Sequence, residues 1–325
     1  MRIIIIGSSL NIYTQEIIDQ YPNNVIGLIE AAPRNYIPKK SKFPFNLINI
    51  SKLRLLANNK KIDYFYLHKN NELEAQKFIK DLSPDVVFIY SMSQLLSEAF
   101  INIPKLGCIN LHPSLLPSYR GPNPLFWIYY NQENSTGITL HFVDKGEDTG
   151  DIIFQRKFKI VKGQSGDLLN KEIEYQGKEL FLKAIKYIEN RIALPRIKQS
   201  KNSPSLRARN LTLEQEKDII DWNKWDIISI WHFLKGTSLY FKGIPQPKGI
   251  LQGHTWQIES YEENSISKQN KIAIGKVIKI RNKYKLVCKD GFINLSIKVS
   301  LKIIIKHNIK RIIKLMLKLI NKFIY

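Results

Sequence analysis

The sequence predicts an α/β fold in which a Rossmann-like, mostly parallel sheet is followed by a smaller, mostly β domain and a basic amphipathic tail helix. Continuous β-branched runs at 2–7 and 84–90 are typical of strands buried on both faces of a parallel sheet. Segments with helical periodicity alternate with these runs, which favours βα units. Beyond residue 210 the apolar runs are short and separated by turn residues, which indicates a mostly β unit.

Strands and helices are predicted to alternate through the first half of the chain. The strand 2–7 ends at Gly7 and turns through Ser8 and Ser9 into a helix, which is a Rossmann-like start. Because no GxGxxG pattern follows this strand, we do not expect a dinucleotide site. The proline-rich, basic segment 31–44 is predicted to be a surface loop. The predicted strands are 2–7, 24–30, 63–67, 84–90, 108–111, 137–143 and 151–158, and the predicted helices are 13–21, 48–58, 72–82, 127–131 and 165–190.

A second region is predicted after a segment rich in Lys, Arg, Ser and Pro at 192–210, which we interpret as an extended linker. Thr212 and Gln215 have the spacing of a capping box and predict a helix start. A helix is predicted at 226–234, and Lys289, Asp290 and Gly291 predict a hairpin turn. The predicted strands of this region are 249–260, 271–279, 284–288 and 293–299.

The last stretch, 301–325, carries only basic charges and has apolar residues at helical spacing along one face. Such a helix could dock on an anionic lipid surface, or its apolar face could dock on the protein or on a second subunit. The sequence therefore leaves open a homodimer and a peripheral contact with the inner membrane surface through 301–325.

Composition bounds the class of protein. A length of 325 residues with 44% hydrophobic residues favours one large or two modest domains with a packed core. Cys108 and Cys288 lie far apart, so neither a disulfide framework nor a zinc site is implied, and we expect a reducing, cytoplasmic compartment. No apolar run approaches the ~20 residues that span a bilayer. No metal is expected.

The formal net charge of +22 is large. A basic balance favours nucleic acid, an anionic membrane surface or a phosphorylated substrate as a partner. The sequence is also rich in Lys, Ile and Asn. The alternative explanation of the positive charge is therefore a compositional bias of the source.

Asn110 and His112 are the centre of the candidate site. On a strand their i, i+2 spacing points both side chains to one face, and Pro113 then ends the strand beside them. Strand ends in open α/β sheets are where ligands bind. A carboxamide can donate to an oxygen that becomes negative, and an imidazole can handle a proton at neutral pH. The alternative is a polar pair that closes a turn.

The acidic, glycine-containing loop 144–151 follows the alternating strand candidate 137–143. A strand-end Asp beside His112 would raise the pKa of the imidazole and hold its tautomer, although an acidic Gly loop is often only a turn. His141 shares a strand face with Thr139, and it could contact a substrate or be a packed histidine.

Together these stretches resemble a known family. The pattern Asn110-x-His112-x-Ser114-Leu115-Leu116-Pro117, then Arg120-Gly121, then Asp144-x-Gly146-x-Asp148-Thr149-Gly150 is similar to the formyltransferases that use 10-formyltetrahydrofolate. That family includes methionyl-tRNA, glycinamide ribonucleotide and amino-sugar N-formyltransferases. The resemblance implies a formyltransferase fold with a catalytic domain at 1–191 and an open-barrel-like module at 211–300.

The resemblance also implies roles for individual residues. It makes Asn110, His112 and Asp148 catalytic, with Asn110 and His112 donating to the formyl oxygen and His112 able to take the proton of the amine. It places the folate cosubstrate against two loops, and Met92, Leu95 and Leu96 could equally be ordinary core. The folate-binding residues it implies are Ser93, Gln94, Leu96, Val143, Asp144, Gly146 and Glu147, and the substrate-binding residues are Ser114, Arg120 and His141.

The amine acceptor is predicted from smaller differences. The family's tRNA enzymes typically open with a Gly-Thr-Pro turn and read Gly-Ala-Ala-Pro after the Arg-Gly. This chain has Gly7-Ser8-Ser9 at the first place and Gly121-Pro122-Asn123-Pro124 at the second. The stretch 139–141 and Trp127 look more like the amino-sugar enzymes. We therefore expect a nucleotide-linked amino sugar as the substrate. The alternatives are a methionyl-tRNA and a non-enzymatic basic protein that binds nucleic acid or membrane.

Overall fold

The structure is a computed structural model, and it describes residues 1–33, 51–92, 94–238, 240–263 and 273–299. The predicted folate contact of Ser93 and the predicted tail helix 301–325 lie outside the described residues, as does most of the predicted loop 31–44. The chain divides into two compact units. The first contains Met1–Ile160 and Leu168–Asn210, and the second contains Val161–Asp167 and the described residues from Leu211 onward.

The first unit is built on a seven-stranded sheet with the order β3-β2-β1-β4-β5-β6-β7. Strands β1 to β5 pair in parallel, whereas β6 and β7 are antiparallel, so the prediction of a mostly parallel sheet is confirmed. The strands are β1 Ile3–Gly7, β2 Val25–Ala31, β3 Asp63–Leu67, β4 Val86–Tyr90, β5 Cys108–His112, β6 Ser135–Phe142 and β7 Ile152–Lys159. The helices up to residue 189 are α1 Ile12–Gln20, α2 Lys52–Lys60, α3 Glu72–Leu82, α4 Glu98–Ile101, α5 Pro124–Tyr130 and α6 Gly166–Glu189.

The central strands are buried on both faces, as their unbroken apolar runs require. Every residue of β1 and of β4 is buried. The Tyr90 hydroxyl donates to Ser9 O (2.5 Å) and accepts from Thr14 Oγ1 (2.8 Å), which ties the end of β4 to the turn after β1. A Cβ on Gly7 would overlap the Tyr90 ring, so only glycine fits at this point of the turn. The carboxyl ends of β1 and β4 are thereby packed closely against each other.

Residues 192–210, which we predicted to be an extended linker, run along the first unit. Ile197 pairs with Ile152 through two backbone hydrogen bonds. Ser203 Oγ donates to Pro117 O (2.8 Å), and Tyr119 N donates to Ser205 Oγ (2.6 Å). We call residues 196–209 the strap, because they bond to the loop after β5 and also to the start of β7.

The second unit contains a four-stranded antiparallel sheet with the order β8-β11-β10-β9. Thr212 and Gln215 form the predicted capping box at the start of α7. The predicted strand 249–260 starts later, at Thr255, because Gly249–Leu251 forms a 3-10 turn and Gly249 has φ +64°. The elements are α7 Leu213–Asp218, α8 Ile227–Thr237, β8 Thr255–Glu263, β9 Val277–Ile280, β10 Lys283–Cys288 and β11 Gly291–Lys298.

The core of the second unit lies between α8 and the sheet. Ile230 and Phe233 of α8 and Leu286 and Ile293 of the sheet are buried. His232 is also buried, and its Nδ1 accepts from Gly163 N (2.9 Å), which attaches residues 161–167 to this unit. Within the described ranges of the chain, no helix combines the length and apolarity needed to cross a membrane.

Candidate active site

Asn110 and His112 stand at the carboxyl end of β5, as the sequence predicts. Strand β5 extends to His112, one residue further than expected, and stops at Pro113, which cannot donate to a neighbouring strand. Asn110 lies opposite His141 of β6 in the antiparallel register, and His112 lies opposite Thr139. His112 is only 4% exposed. The two predicted side chains therefore lie on the same face of the sheet as the His141 imidazole, at the carboxyl end of β5.

Asp148 joins these side chains from the loop after β6. It has φ +56°, a left-handed conformation that costs a non-glycine residue roughly 1 kcal/mol. Its Oδ2 accepts from Gly121 N (2.9 Å) and lies 3.4 Å from His112 Nδ1. Its Oδ1 lies 3.5 Å from Asn110 Nδ2 and 3.6 Å from His141 Nε2. The carboxamide, the imidazole and the carboxylate thus converge on one point.

The proton positions on His112 follow from its partners. Nε2 lies 2.9 Å from Tyr119 O, and a carbonyl only accepts, so Nε2 carries the proton and donates. Burial lowers the pKa of His112, although the Asp148 charge opposes this shift, so the resting imidazole is neutral. A proton that arrives must then bind Nδ1, the nitrogen that faces Asp148.

Asp148 stays ionised in this environment. Burial by itself would raise its pKa, but the neighbouring imidazoles of His112 and His141 and the N–H of Gly121 favour the carboxylate, outweigh burial and hold the pKa below its ordinary value. A carboxylate at 3.4 Å stabilises an imidazolium that forms on His112. The pair is therefore arranged to accept a proton transiently.

His141 orients the Asn110 carboxamide. Its Nδ1 donates to Phe142 O (2.7 Å), because a carbonyl only accepts, and Asn110 Nδ2, which only donates, lies 3.1 Å from Nε2, so Nε2 accepts from it. The second N–H of Asn110 makes only the long 3.5 Å contact with Asp148. The sequence left open whether His141 contacts a substrate or packs. The structure places it in the polar network of the site, on the wall of the cavity described next.

A cavity of about 890 Å³ opens beside these residues, a size typical of small-molecule sites. Asn110, His112, His141 and Asp148 line it. Asp144 Oδ1 accepts from Gly146 N (3.0 Å) and Thr149 Oγ1 (2.6 Å), which shapes the loop that forms one wall. Of the predicted folate-binding residues, those that line the cavity are Gln94, Leu96, Val143, Asp144, Gly146 and Glu147.

Ser114 and Arg120 lie outside the cavity lining. Ser114 is buried, and its Oγ donates to Ser118 O (2.6 Å). Arg120 donates through Nη2 to Gln199 Oε1 and to Ser200 O, both at 2.8 Å. Both side chains are engaged by the protein, and substrate contact by either stays a prediction.

Sequence reasoning missed several groups that complete the site. The Tyr119 carbonyl fixes the tautomer of His112, and the Gly121 amide holds Asp148. Arg207 of the strap lines the cavity and forms a bidentate ion pair with Glu147. Backbone groups leave no signal in the sequence, and Arg207 lies more than fifty residues beyond the motif it completes. Among the residues that the structure describes, no cluster of three or more His, Cys, Asp or Glu side chains is arranged to hold a metal ion.

Comparison with known proteins gives sequence relatives for most of the chain. A family model described as formyl transferase matches residues 1–185. The methionyl-tRNA formyltransferase of Clostridium tetani is 31% identical over 261 residues, which make up 80% of this chain and 81% of the relative. The methionyl-tRNA formyltransferase of Alkaliphilus oremlandii is 31% identical over 238 residues, 73% of this chain and 72% of the relative.

Solved structures share the fold. The sugar 3N-formyl transferase WlaRD, in the presence of dTDP and 5-N-formyl-THF, has a TM-score of 0.59 and 21% identity over 93% of this chain and 99% of its own. An N-formyltransferase from Helicobacter canadensis, in complex with folinic acid and dTDP-3-aminofucose, has a TM-score of 0.58 and 20% identity. It covers 92% of this chain and 100% of its own.

Proposed function

This chain belongs to the formyl transferase family, and from that premise we propose that it moves the formyl group of 10-formyltetrahydrofolate to the primary amine of a nucleotide-linked amino sugar. The observation that carries formyl transfer is the convergence of Asn110, His112 and Asp148 on the wall of one cavity. The identity of the amine rests on differences between this sequence and the family's tRNA enzymes.

Asn110 supplies the electrostatic part of the reaction. When the amine nitrogen bonds to the formyl carbon, negative charge grows on the formyl oxygen. The N–H of Asn110 that His141 leaves unengaged donates to this oxygen. Such a donor accelerates acyl transfer by roughly 10²–10³-fold, because it strengthens as the charge develops.

His112 and Asp148 supply the proton transfer. The attacking amine carries a proton that must leave as the new C–N bond forms, and Nδ1 is the nitrogen of His112 that can take it. Asp148 stabilises the resulting imidazolium across 3.4 Å. The bond from the formyl carbon to N10 of the folate then breaks, N10 keeps the electron pair, and the proton from the amine is returned to N10 directly or through water.

The folate cosubstrate fits the cavity in size and in chemistry. Met92, Leu96 and Val143 give the lining apolar surface for the flat faces of a pterin. Asp144 and Glu147 add polar groups at the same wall, and the loop around Gly146 exposes backbone toward the cavity. We assign the folate-binding roles of Gln94, Leu96, Val143, Asp144, Gly146 and Glu147 on this basis, and those of Ser114 and Arg120 toward the acceptor remain predictions from the family resemblance alone.

The amino-sugar acceptor is favoured by the second unit as well as by the motif differences. The family's tRNA enzymes carry an Ile-Arg-Ala stretch where this chain has Ile230-Trp231-His232. Ile230 and His232 are buried in α8, and Trp231 Nε1 donates to Glu259 O (2.5 Å). Internal packing therefore uses this stretch, and it offers no guanidinium for a nucleic-acid phosphate.

Methionyl-tRNA is the second candidate acceptor, because relatives with that activity are 31% identical over as much as 80% of the chain. The net charge of +22 also suits an RNA partner. The two acceptors can be separated in one assay. The purified protein is incubated with 10-formyltetrahydrofolate and either methionyl-tRNA or a panel of nucleotide-linked 3-amino and 4-amino sugars.

When an amino sugar is the acceptor, we expect the reaction to release tetrahydrofolate. We also expect mass spectrometry to detect the formylated sugar. Asn110→Ala and His112→Ala should abolish both signals while the protein stays folded. Formylation of tRNA alone would overturn the acceptor proposal and leave formyl transfer standing. Turnover with neither class of amine would overturn the function itself.

A further inference from the structure

Gln199 of the strap makes four hydrogen bonds at the back of the site. Its Oε1 accepts from Arg120 Nε (3.2 Å) and Nη2 (2.8 Å). Its Nε2 donates to Asp148 O (3.0 Å) and Gly150 O (2.7 Å). The half-buried carboxamide is thus bonded at both ends.

The chemistry of the partners fixes the orientation of this carboxamide. A guanidinium has only donors, so Arg120 must face Oε1, and carbonyls only accept, so Asp148 O and Gly150 O must face Nε2. A flipped Gln199 would lose all four bonds. Arg120 therefore holds Gln199 in the one orientation that bonds the Asp148 loop.

The backbone that Gln199 holds includes a residue in a strained conformation. Asp148 has φ +56°, which a non-glycine residue keeps only when its surroundings impose it. The Gly121 amide holds the Asp148 carboxylate, and Gln199 holds the carbonyls of Asp148 and Gly150. Since Arg120 directly precedes Gly121, the side chain and the backbone of the 120–121 turn hold the same loop from two sides.

We propose that Gln199, oriented by Arg120, is a positioning residue that keeps the Asp148 carboxylate against His112 and His141. The inference rests on the proposed function only where its effect on turnover is concerned. The strap, predicted as a linker, is then part of the active-site architecture although Gln199 does not line the cavity. Displacement of a reacting group by about 1 Å can cost roughly 100-fold in rate.

Gln199→Glu tests the inference, with Gln176→Glu as the matched control. The carboxylate introduced by Gln199→Glu would still accept from Arg120 but could not donate to the two carbonyls. Gln176 also accepts from an arginine, Arg156 Nη1 (2.7 Å), and it donates to a side chain, Glu172 Oε1 (2.7 Å), without lining the cavity. Both variants therefore remove a donor beside an arginine and change the net charge equally.

Two readouts are needed, one of which is independent of turnover. The first is the 15N imidazole spectrum, in which the signals of His112 and His141, identified with His112→Asn and His141→Asn variants, report their contact with Asp148. We expect both signals to shift in Gln199→Glu and to stay in place in Gln176→Glu. The second is kinetics, where we expect kcat to fall by about 10–100-fold in Gln199→Glu with both KM values nearly unchanged.

The outcomes separate this inference from the proposed function. Unmoved histidine signals in Gln199→Glu would overturn it whether or not the protein formylates an amine. Moved signals together with normal kcat, or an equal loss of kcat in Gln176→Glu, would overturn it as well. If the signals move in Gln199→Glu but the wild-type protein formylates no amine, the positioning role of Gln199 is supported and the proposed function is rejected.

Discussion

Replacement of Asp148 by Asn removes one charge from the centre of the site and keeps its shape. Asn tolerates the left-handed conformation of this position, so the backbone strain should not increase. The amide oxygen of Asn can accept from Gly121 N as Oδ2 does now at 2.9 Å. The change therefore tests the charge of Asp148 separately from its place in the fold.

The magnitude follows from the distance between Oδ2 and His112 Nδ1. Two unit charges 3.4 Å apart attract by roughly 5 kcal/mol at an effective dielectric constant of about 20. An amide dipole retains part of this attraction, and residual solvent screens the rest. We therefore expect a loss of about 3–4 kcal/mol in transition-state stabilisation, which is a decrease of roughly 10²–10³-fold in kcat.

The assay is steady-state formyl transfer across pH, with KM for the folate measured in parallel. The Asp148 charge raises the pKa of His112, so its removal should lower that pKa further and move the acid limb of kcat/KM to lower pH. KM for the folate should change little. Turnover within threefold of the wild type, or an acid limb that moves to higher pH, would refute the assigned role of the carboxylate.

Two further predictions concern histidines. His141→Leu should lower kcat at least tenfold, because Asn110 loses the acceptor that orients it. His141→Gln places an oxygen near the position of Nε2 and should recover most of the rate. Equal losses of kcat in both variants would contradict the orienting role of His141. Burial and the charge of Lys162 lower the pKa of His232 from 6.5 to about 4. Between these pH values the unfolded chain holds a proton that the native state lacks. The free energy of unfolding therefore falls as pH falls, by up to about 3 kcal/mol. In urea unfolding at several pH values, the free energy of unfolding of His232→Asn should depend less on pH than that of the wild type. The Asn amide oxygen can still accept from Gly163 N. An unchanged pH dependence would show that another group titrates.

Much of the fold could be predicted because the informative patterns are local. The isoleucine run of β1 and the apolar run of β4 indicate buried parallel strands without knowledge of their neighbours. The i, i+2 spacing of Asn110 and His112, ended by Pro113, likewise places two side chains on one face of one strand. Where local signals compete, the prediction was less accurate, as at Gly249, whose positive φ favours a 3-10 turn over the expected strand.

The candidate site could be predicted by residue type and less well by role. Asn110, His112 and Asp148 do meet, but the Tyr119 carbonyl decides the tautomer of His112, and the Gly121 amide holds the Asp148 carboxylate. Backbone groups are the same in every sequence, so only their placement in space carries this information. The role of Gln199 is hidden for a related reason, since it lies far along the chain from the loop that it holds.

The sequence by itself determined the chemical groups of the site and the strand end that presents them, because side-chain identity and strand periodicity are properties of neighbouring residues. Only the tertiary structure decided which nitrogen of His112 is free and which way the Asn110 amide faces. It also decided that the strap completes the site. Each of these depends on hydrogen bonds between residues distant in the chain, and their geometry exists only after the sheet and its loops have packed.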